Sequence, residues 1–252
     1  MKKIYIVAAG NNTRMDLPGY PASYPKALMS INGISVIENT IRKIGKLFDS
    51  VIVVTSDKHA YFWDMFVLSI QETDPKLISN VVFHKIVSGL GDGHALLQSM
   101  EKFDNKNSDI TVCWGDVYFP DDHLVKEMLS FPMLNGVVPY HMEYAPYVAL
   151  IANEDGTVGW AEFSKLGEIN EAGCHDLSVF RFDGLKLYSA LHHLHASLWK
   201  GDKYMTPNGE LSTLFVLHYM SNTGNPVEMY DSRFGTFGFN DAIEFKKIKE
   251  LV

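Results

Sequence analysis

Short apolar runs alternate with amphipathic ones through the first half of the chain. Runs at 4–9, 50–55, 80–87 and 110–114 are rich in valine, isoleucine and aromatic residues. Between and after them, 35–47, 59–70, 93–103 and 121–130 carry helical spacing. A chain ordered this way builds successive βαβ units on a parallel sheet. The second half is strand-richer, with runs at 136–141, 148–152, 157–163 and 177–182. Helices are expected at 184–200 and 210–220, short strands at 227–231 and 233–237, and a last helix at 241–251. No internal repeat or low-complexity linker interrupts the 252 residues. The expectation is one α/β domain in two halves, about 1–135 and about 136–252.

Composition narrows the partners. A chain of this length buries roughly 70–75% of its unfolded surface, so it needs no metal or disulfide to fold. The net charge of −8 argues against a general nucleic-acid binder or an anionic-membrane binder. A small anionic ligand in a local basic pocket is compatible with it. The two cysteines, Cys113 and Cys174, lie in apolar, strand-like surroundings and read as buried thiols. The start, Met1-Lys2-Lys3-Ile4, lacks the features of a signal peptide, and no apolar run of about 18 residues suggests a membrane span. A cytoplasmic monomer or homodimer is expected.

The first strand run ends in Gly10-Asn11-Asn12-Thr13-Arg14, and Pro25-Lys26 follows a proline-rich segment. A glycine there lets the backbone turn sharply and lets a ligand approach the peptide N–H groups. Consecutive N–H groups in such a turn form an anion-binding nest. An arginine adds a planar donor fork and a lysine a point charge. Together they describe a polyphosphate cradle. The stretch is neither a Walker A loop nor a dinucleotide fingerprint, because the Gly-Lys-Ser/Thr and the Gly-x-Gly-x-x-Gly are missing.

Ala8-Ala9-Gly10-x-x-Thr13-Arg14-Met15 with Pro25-Lys26-x-Leu28 resembles the N-terminal signature of the nucleotidyltransferase (pyrophosphorylase) superfamily. Leu90-Gly91-Asp92-Gly93-His94-Ala95 is similar to the base-reading loop of UDP-N-acetylglucosamine pyrophosphorylase domains. Trp114-Gly115-Asp116 resembles the Gly-Asp whose aspartate binds magnesium, and Gly238-Phe239-Asn240-Asp241 the C-terminal motif that completes the metal site. The resemblance implies a GT-A-like fold, with a mixed, mostly parallel sheet flanked by helices. It makes the first half nucleotide-binding and the second acceptor-binding.

It also implies a mechanism. An NTP binds with its triphosphate at Ala8, Ala9, Gly10, Asn11, Asn12 and Thr13, with Gly91, Asp92 and Gly115 also contributing to the nucleotide site. A small phosphorylated metabolite attacks the α-phosphorus, and pyrophosphate leaves. The nucleophile is already anionic, so catalysis reduces to positioning and charge neutralisation. Arg14 is assigned to the β- and γ-phosphates, Lys26 to the α-phosphate, and Asp116 and Asn240 to Mg²⁺, which prefers oxygen ligands.

Departures from the family pattern carry information. Asn12 replaces a glycine, at a position where asparagine tolerates positive φ. Residues 16–24 lengthen the gap between Arg14 and Lys26, as a lid would. Asp92 stands where uridylyl enzymes have threonine. An ionised aspartate only accepts hydrogen bonds, and cytosine carries an amino donor where uracil carries a carbonyl. This favours CTP over UTP; Asp92 serves equally well as a cap of the helix that starts near Gly93. Glu162 and Lys165 resemble the Glu-Lys region that contacts the acceptor. The family's asparagine is missing at Ala172-Gly173, which departs from a standard hexose-1-phosphate site. Phosphocholine or a phospho-amino-acid amide joins sugar-1-phosphates among the acceptors, with surface-polysaccharide pathways as the analogy. No hexapeptide repeats accompany the motifs, so no fused acetyltransferase is expected.

Other features read as structure. His192, His193 and His195 lie on an apolar helix, and His193 points about 100° away from His192. The segment 61–70 is apolar nearly all round, as in a buried helix or a dimer face. Asp121-Asp122 suits a helix N-terminus. The rivals are a glycosyltransferase of similar fold, which would not need Arg14 and Lys26 together, a molybdopterin-type guanylyltransferase, and a nucleotide-binding regulatory subunit. The guanylyltransferase signature has Gly-x-Asp-Lys where this chain has Tyr24-Pro25-Lys26.

Overall fold

The first strand, β1 (Lys2–Ala8), sets the architecture. Its side chains alternate between two cores, as a period of two requires. Tyr5 and Val7 enter one core, and Ile4 and Ile6 the other. A strand buried on both faces must have helices on both sides. The computed structural model, which describes residues 1–10, 17, 19–21, 23–87, 90–103, 108–132, 135–163 and 171–252, shows this three-layer arrangement. For residues 162 and 163 only the backbone is described.

The elements follow in chain order. A β2 (Ser30–Ile31) and β3 (Ile34–Ser35) hairpin leads into α1 (Val36–Ile44), β4 (Ser50–Ser56), α2 (Ala60–Thr73) and β5 (Val81–Ile86). Then come α3 (Asp92–Lys102), β6 (Asp109–Trp114), β7 (Val117–Tyr118), α4 (His123–Ser130) and β8 (Gly136–Tyr144). The strand-rich part holds β9 (Val148–Ala152), β10 (Val158–Phe163), β11 (Ala172–Asp176) and β12 (Val179–Asp183). The chain finishes with α5 (Gly184–Leu198), α6 (Thr213–Asn222), β13 (Val227–Asp231), β14 (Phe237–Gly238) and α7 (Ala242–Leu251).

Among the described residues, ten strands form one mixed sheet in the order β10-β9-β11-β8-β12-β6-β1-β4-β5, with β13 beside β8. β6, β1, β4 and β5 run parallel, as the βαβ pattern predicts. β12 joins β6 antiparallel and opens the antiparallel half. One face packs Leu96, Leu97 and Met100 of α3 with Leu187 and Leu191 of α5 and Leu214 and Leu217 of α6. The other packs Ile37, Ile41 and Ile44 of α1 with Leu124, Val125 and Met128 of α4. A smaller third core joins Met29, Ile31 and Val36 to Phe239, Phe245 and Ile248. It clamps the start of the chain onto its end.

Local signals place the helix starts. Ser35 and Glu38 have capping-box spacing, and the Ser35 hydroxyl accepts the Glu38 N–H at 3.2 Å. Asp241 Oδ1 accepts the N–H groups of Ile243 and Glu244 at 2.8 and 3.0 Å, which starts α7.

Some expectations need correction. The 61–70 helix is not buried: in α2 only Trp63 and Ile70 are, while Tyr61, Met65 and Leu68 face outward. It covers the edge of the sheet, where only one stripe finds a partner. Cys113 is buried, but Cys174 is half-exposed, because the short β11 is only partly covered. The strand expected at 233–237 shrinks to β14. β11 itself, within Ala172-Gly173-Cys174-His175-Asp176, lacked the alternation that would announce a strand. Among the described residues no helix is long and apolar enough to cross a membrane.

Candidate active site

The C-terminal ends of β1 and β6 open into a cleft of about 510 Å³. In open α/β sheets ligands bind at this edge. Ala8, Ala9 and Gly10 line it from β1, and Gly115 and Asp116 from β6. The remainder of the first loop, including Asn11, Asn12, Thr13 and Arg14, lies outside the described residues, as does Lys165.

Among the described residues, Lys26 is the best-placed cation of the cleft. It is 8% exposed, held by a short helical turn after Pro25. Its Nζ donates to the carbonyl oxygens of Asn240 at 2.9 Å and Phe239 at 3.3 Å. It lies 3.5 Å from Asp116 Oδ2 and 5.8 Å from the centre of the Phe239 ring. Residues 26, 116 and 240 thus meet from three remote parts of the chain. The meeting is arranged by β14 pairing with β7, where Gly238 opposes Val117, and by the third core behind it.

Two glycines are needed for packing. A Cβ on Gly115 would stand 2.6 Å from Ala8 Cβ, and the Gly115 N–H donates to the Val7 carbonyl at 2.9 Å. Gly91 has φ of +97°, and a Cβ there would stand 2.2 Å from the Leu211 carbonyl oxygen. The turn at 90–93 forms a backbone pair with Leu211: the Leu211 N–H donates to Leu90 at 2.8 Å, and the Gly93 N–H to Leu211 at 2.9 Å. Only glycine permits that approach.

Asp92 caps a helix, though not its own. Its Oδ2 accepts the Thr213 N–H at 2.9 Å, at the start of α6, where Ser212 also accepts the Leu214 N–H. Asp92 still lines the cleft. Glu162 has its backbone on β10, opposite Ala149 of β9. The three histidines of α5 show no metal geometry. Instead His195 and the distant His94 both place Nδ1 on the Tyr204 hydroxyl, at 2.7 and 2.6 Å. That oxygen donates to one ring and accepts from the other, so the rings are held as different tautomers. Burial pushes the Tyr204 phenol up to about 12.

Several residues of the cleft escaped the sequence reading. Asp176, Ser178, Tyr147 and Glu210 all line it. Asp176 is 1% exposed; its Oδ1 accepts the Ser178 N–H at 2.9 Å, and its Oδ2 has no hydrogen-bond partner among the described residues. Ser178 adopts φ of +60°, a conformation uncommon for serine. Burial raises the Asp176 carboxyl above the usual range, and the nearby Asp92 adds to this against the opposing pull of His175. Glu210 is raised likewise, by burial and then by Asp92. Nothing along Ala172-Gly173-Cys174-His175-Asp176-Leu177-Ser178 announces the burial of the Asp176 carboxyl.

Asp116 and Asn240 offer oxygen donors suited to a hard cation. Among the described residues no three histidine, cysteine or acidic side chains gather to hold a metal unaided. The two oxygen donors suit magnesium, which takes one or two protein oxygens and completes its shell with phosphates and water.

The three-layer fold, with Ala8, Ala9 and Gly10 at one strand end and a lysine–aspartate pair at the next, has the organisation of a nucleotidyltransferase-type domain. Residues 4–143, more than half of the chain, match the MobA-like NTP transferase domain family, and the chain belongs to that family. The bifunctional protein GlmU of Acetivibrio thermocellus is 21% identical over 264 residues, covering 98% of this chain and 50% of GlmU. GlmU of Streptococcus uberis is 23% identical over 213 residues, covering 80% and 42%. The chain spans about half the length of the curated relatives it matches. Among solved structures, a UDP-glucose pyrophosphorylase complexed with UDP-glucose aligns with a TM-score of 0.74 at 14% identity, covering 100% of this chain and 98% of that one. The inositol-1-phosphate CTP transferase from T. maritima aligns at 0.69 and 14%, covering 100% and 94%. These likenesses establish the shared GT-A-like fold.

Proposed function

We propose that the chain transfers a nucleoside monophosphate from an NTP to a small phosphorylated acceptor, with release of pyrophosphate. The observation that supports this most is the convergence of Lys26, Asp116 and Asn240 beside Ala8, Ala9 and Gly10 in one cleft. An acceptor phosphate oxygen forms a new bond to the α-phosphorus as the α–β bridging bond breaks, and the bridging oxygen leaves with pyrophosphate. Lys26 is fixed by two carbonyls, so its charge is already in place when negative charge builds on the α-phosphate. The backbone at Ala9 and Gly10, with Asn11, Asn12 and Thr13, cradles the triphosphate, and Arg14 holds the departing pyrophosphate. Asp116 and Asn240 would hold Mg²⁺, which neutralises phosphate charge when bound.

CTP is the favoured donor, ahead of UTP. Asp92 Oδ2 is engaged by Thr213, which leaves Oδ1 to accept from the exocyclic amine of cytosine. The acceptor is a metabolite of the sugar-1-phosphate, phosphocholine or phospho-amino-acid-amide type, contacted from the second half of the domain, where Glu162 and Lys165 lie. Surface-polysaccharide biosynthesis is the setting this chemistry suits. The test is pyrophosphate release across a matrix of four NTPs and these acceptors with Mg²⁺. Turnover that falls on chelation and in Lys26→Met supports the reading. Turnover undiminished in Lys26→Met contradicts it.

A further inference from the structure

The described lining of the cleft is acidic, although the proposed substrates are anionic. Among the described residues that line it, Lys26 and His175 are the basic side chains, against Asp92, Asp116, Asp176 and Glu210. Asp116 is accounted for by Lys26 and the proposed metal. The other three come from the opposite face of the sheet. Asp92 begins α3, Glu210 precedes α6, and Asp176 shares its face of β11 with Cys174, which packs against the α3–α5–α6 core.

Asp176 is the most telling of these. A carboxyl 1% exposed, with one oxygen unpartnered among the described residues, is costly to keep. Among the described residues no contact explains that oxygen. The positive φ of Ser178 turns the chain so that its N–H meets Oδ1, which fixes the carboxyl at the cleft wall. The half-buried aromatic side chains of Tyr147 and Trp114 line the same cleft, and aromatic faces attract cations. Ser178, Ser212 and Asn208 add neutral polar groups to the lining, but three carboxyl groups on one side exceed what a neutral polyol calls for.

Resting on the nucleotidyl-transfer reading above, we propose that the phosphorylated acceptor carries a positively charged ammonium group, and that Asp176, with Glu210 of the same cleft lining, receives that group. Asp92 deepens the negative potential between them whichever atom it contacts. The acceptor is then a zwitterion, with phosphate toward Lys26 and cation toward Asp176. An incoming ammonium restores the ionised form that burial disfavours in Asp176 and Glu210.

The experiment compares acceptors in the pyrophosphate-release assay with Mg²⁺ and each NTP. Phosphocholine and phosphoethanolamine are set against glucose-1-phosphate and N-acetylglucosamine-1-phosphate. The expected result is a kcat/KM at least 100-fold higher for one of the ammonium acceptors, which also tells a quaternary from a primary ammonium. Asp176→Asn is expected to raise the KM of that acceptor at least tenfold and leave the KM of the NTP unchanged. Should Asp176→Asn fail to fold, Glu210→Gln reads the same KM split. Turnover of the neutral sugar phosphates as fast as the ammonium acceptors overturns this inference and leaves nucleotidyl transfer standing. An unchanged acceptor KM in the carboxyl variants also overturns it. No pyrophosphate with any pair overturns the nucleotidyl-transfer reading, and this inference with it.

Discussion

Lys26 gains its position from atoms that carry no charge. The carbonyls of Phe239 and Asn240 fix its Nζ, and Asp116 only approaches it. A cation held this way is preorganised, and removing such a group costs about 10²–10³-fold in kcat. Lys26→Met is expected to show that loss in steady-state assays, with a far-UV spectrum like that of the wild type. Gly91 makes a different kind of demand. With φ of +97° and a Cβ position 2.2 Å from Leu211 O, Gly91→Ala must displace the 90–93 turn. The expected cost is about 2–3 kcal/mol, seen in a thermal scan as a fall of roughly 4–12 °C. Lys26 was legible through the glycine turn and cations that follow the first strand run, and Gly91 through the resemblance of 90–95 to a base-reading loop; the packing demand on Gly91 was not. Asp176 was not legible. Its meaning comes from burial and a missing partner, and neither is visible along a chain.

At the scale of elements, the parallel half was readable because each strand is apolar and each helix carries its own spacing. The antiparallel half was harder. β11 reads Ala172-Gly173-Cys174-His175-Asp176, which has no period of two, since its faces are neither fully buried nor fully wet. The contacts that lock elements together were also hidden, because they join distant residues. Arg181 on β12 donates from Nε and Nη2 to the two oxygens of Asp109 at 2.9 and 2.7 Å. Its Nη1 donates to the carbonyls of Met128, Leu129 and Phe131 at the end of α4. Arg181→Met strands a carboxylate and three carbonyls. It is expected to cost about 3–5 kcal/mol, read as a lower urea midpoint with the m-value unchanged. Tyr204 plays a similar part, tying α3 to α5 through His94 and His195. Tyr204→Phe leaves both rings short of a partner, for an expected loss of about 1–3 kcal/mol in the same measurement.

Across the whole molecule, stability and function pull against each other at the cleft. Burial raises the folded-state value of Asp176 above its unfolded one. Between those two values the native state binds more protons, so stability falls as pH rises, and the full penalty is present above the folded value. Asp176→Asn removes that penalty. Its melting temperature is expected to exceed that of the wild type by a few degrees at pH 7.5, with the gain shrinking toward pH 4. A gain equal at both pH values would show that the charge is not the cause. The same molecule gathers residues 8–10, 26, 116 and 240 from the start, middle and end of the chain, and the proposal resting on this gathering is the central claim: the cleft holds a triphosphate. Calorimetric titration of CTP, UTP, GTP and ATP in the presence of Mg²⁺, with no acceptor, tests it most directly. The account predicts saturable binding led by CTP, weakened at least 100-fold in Lys26→Met. Binding of no NTP, or binding unchanged in Lys26→Met, would contradict it.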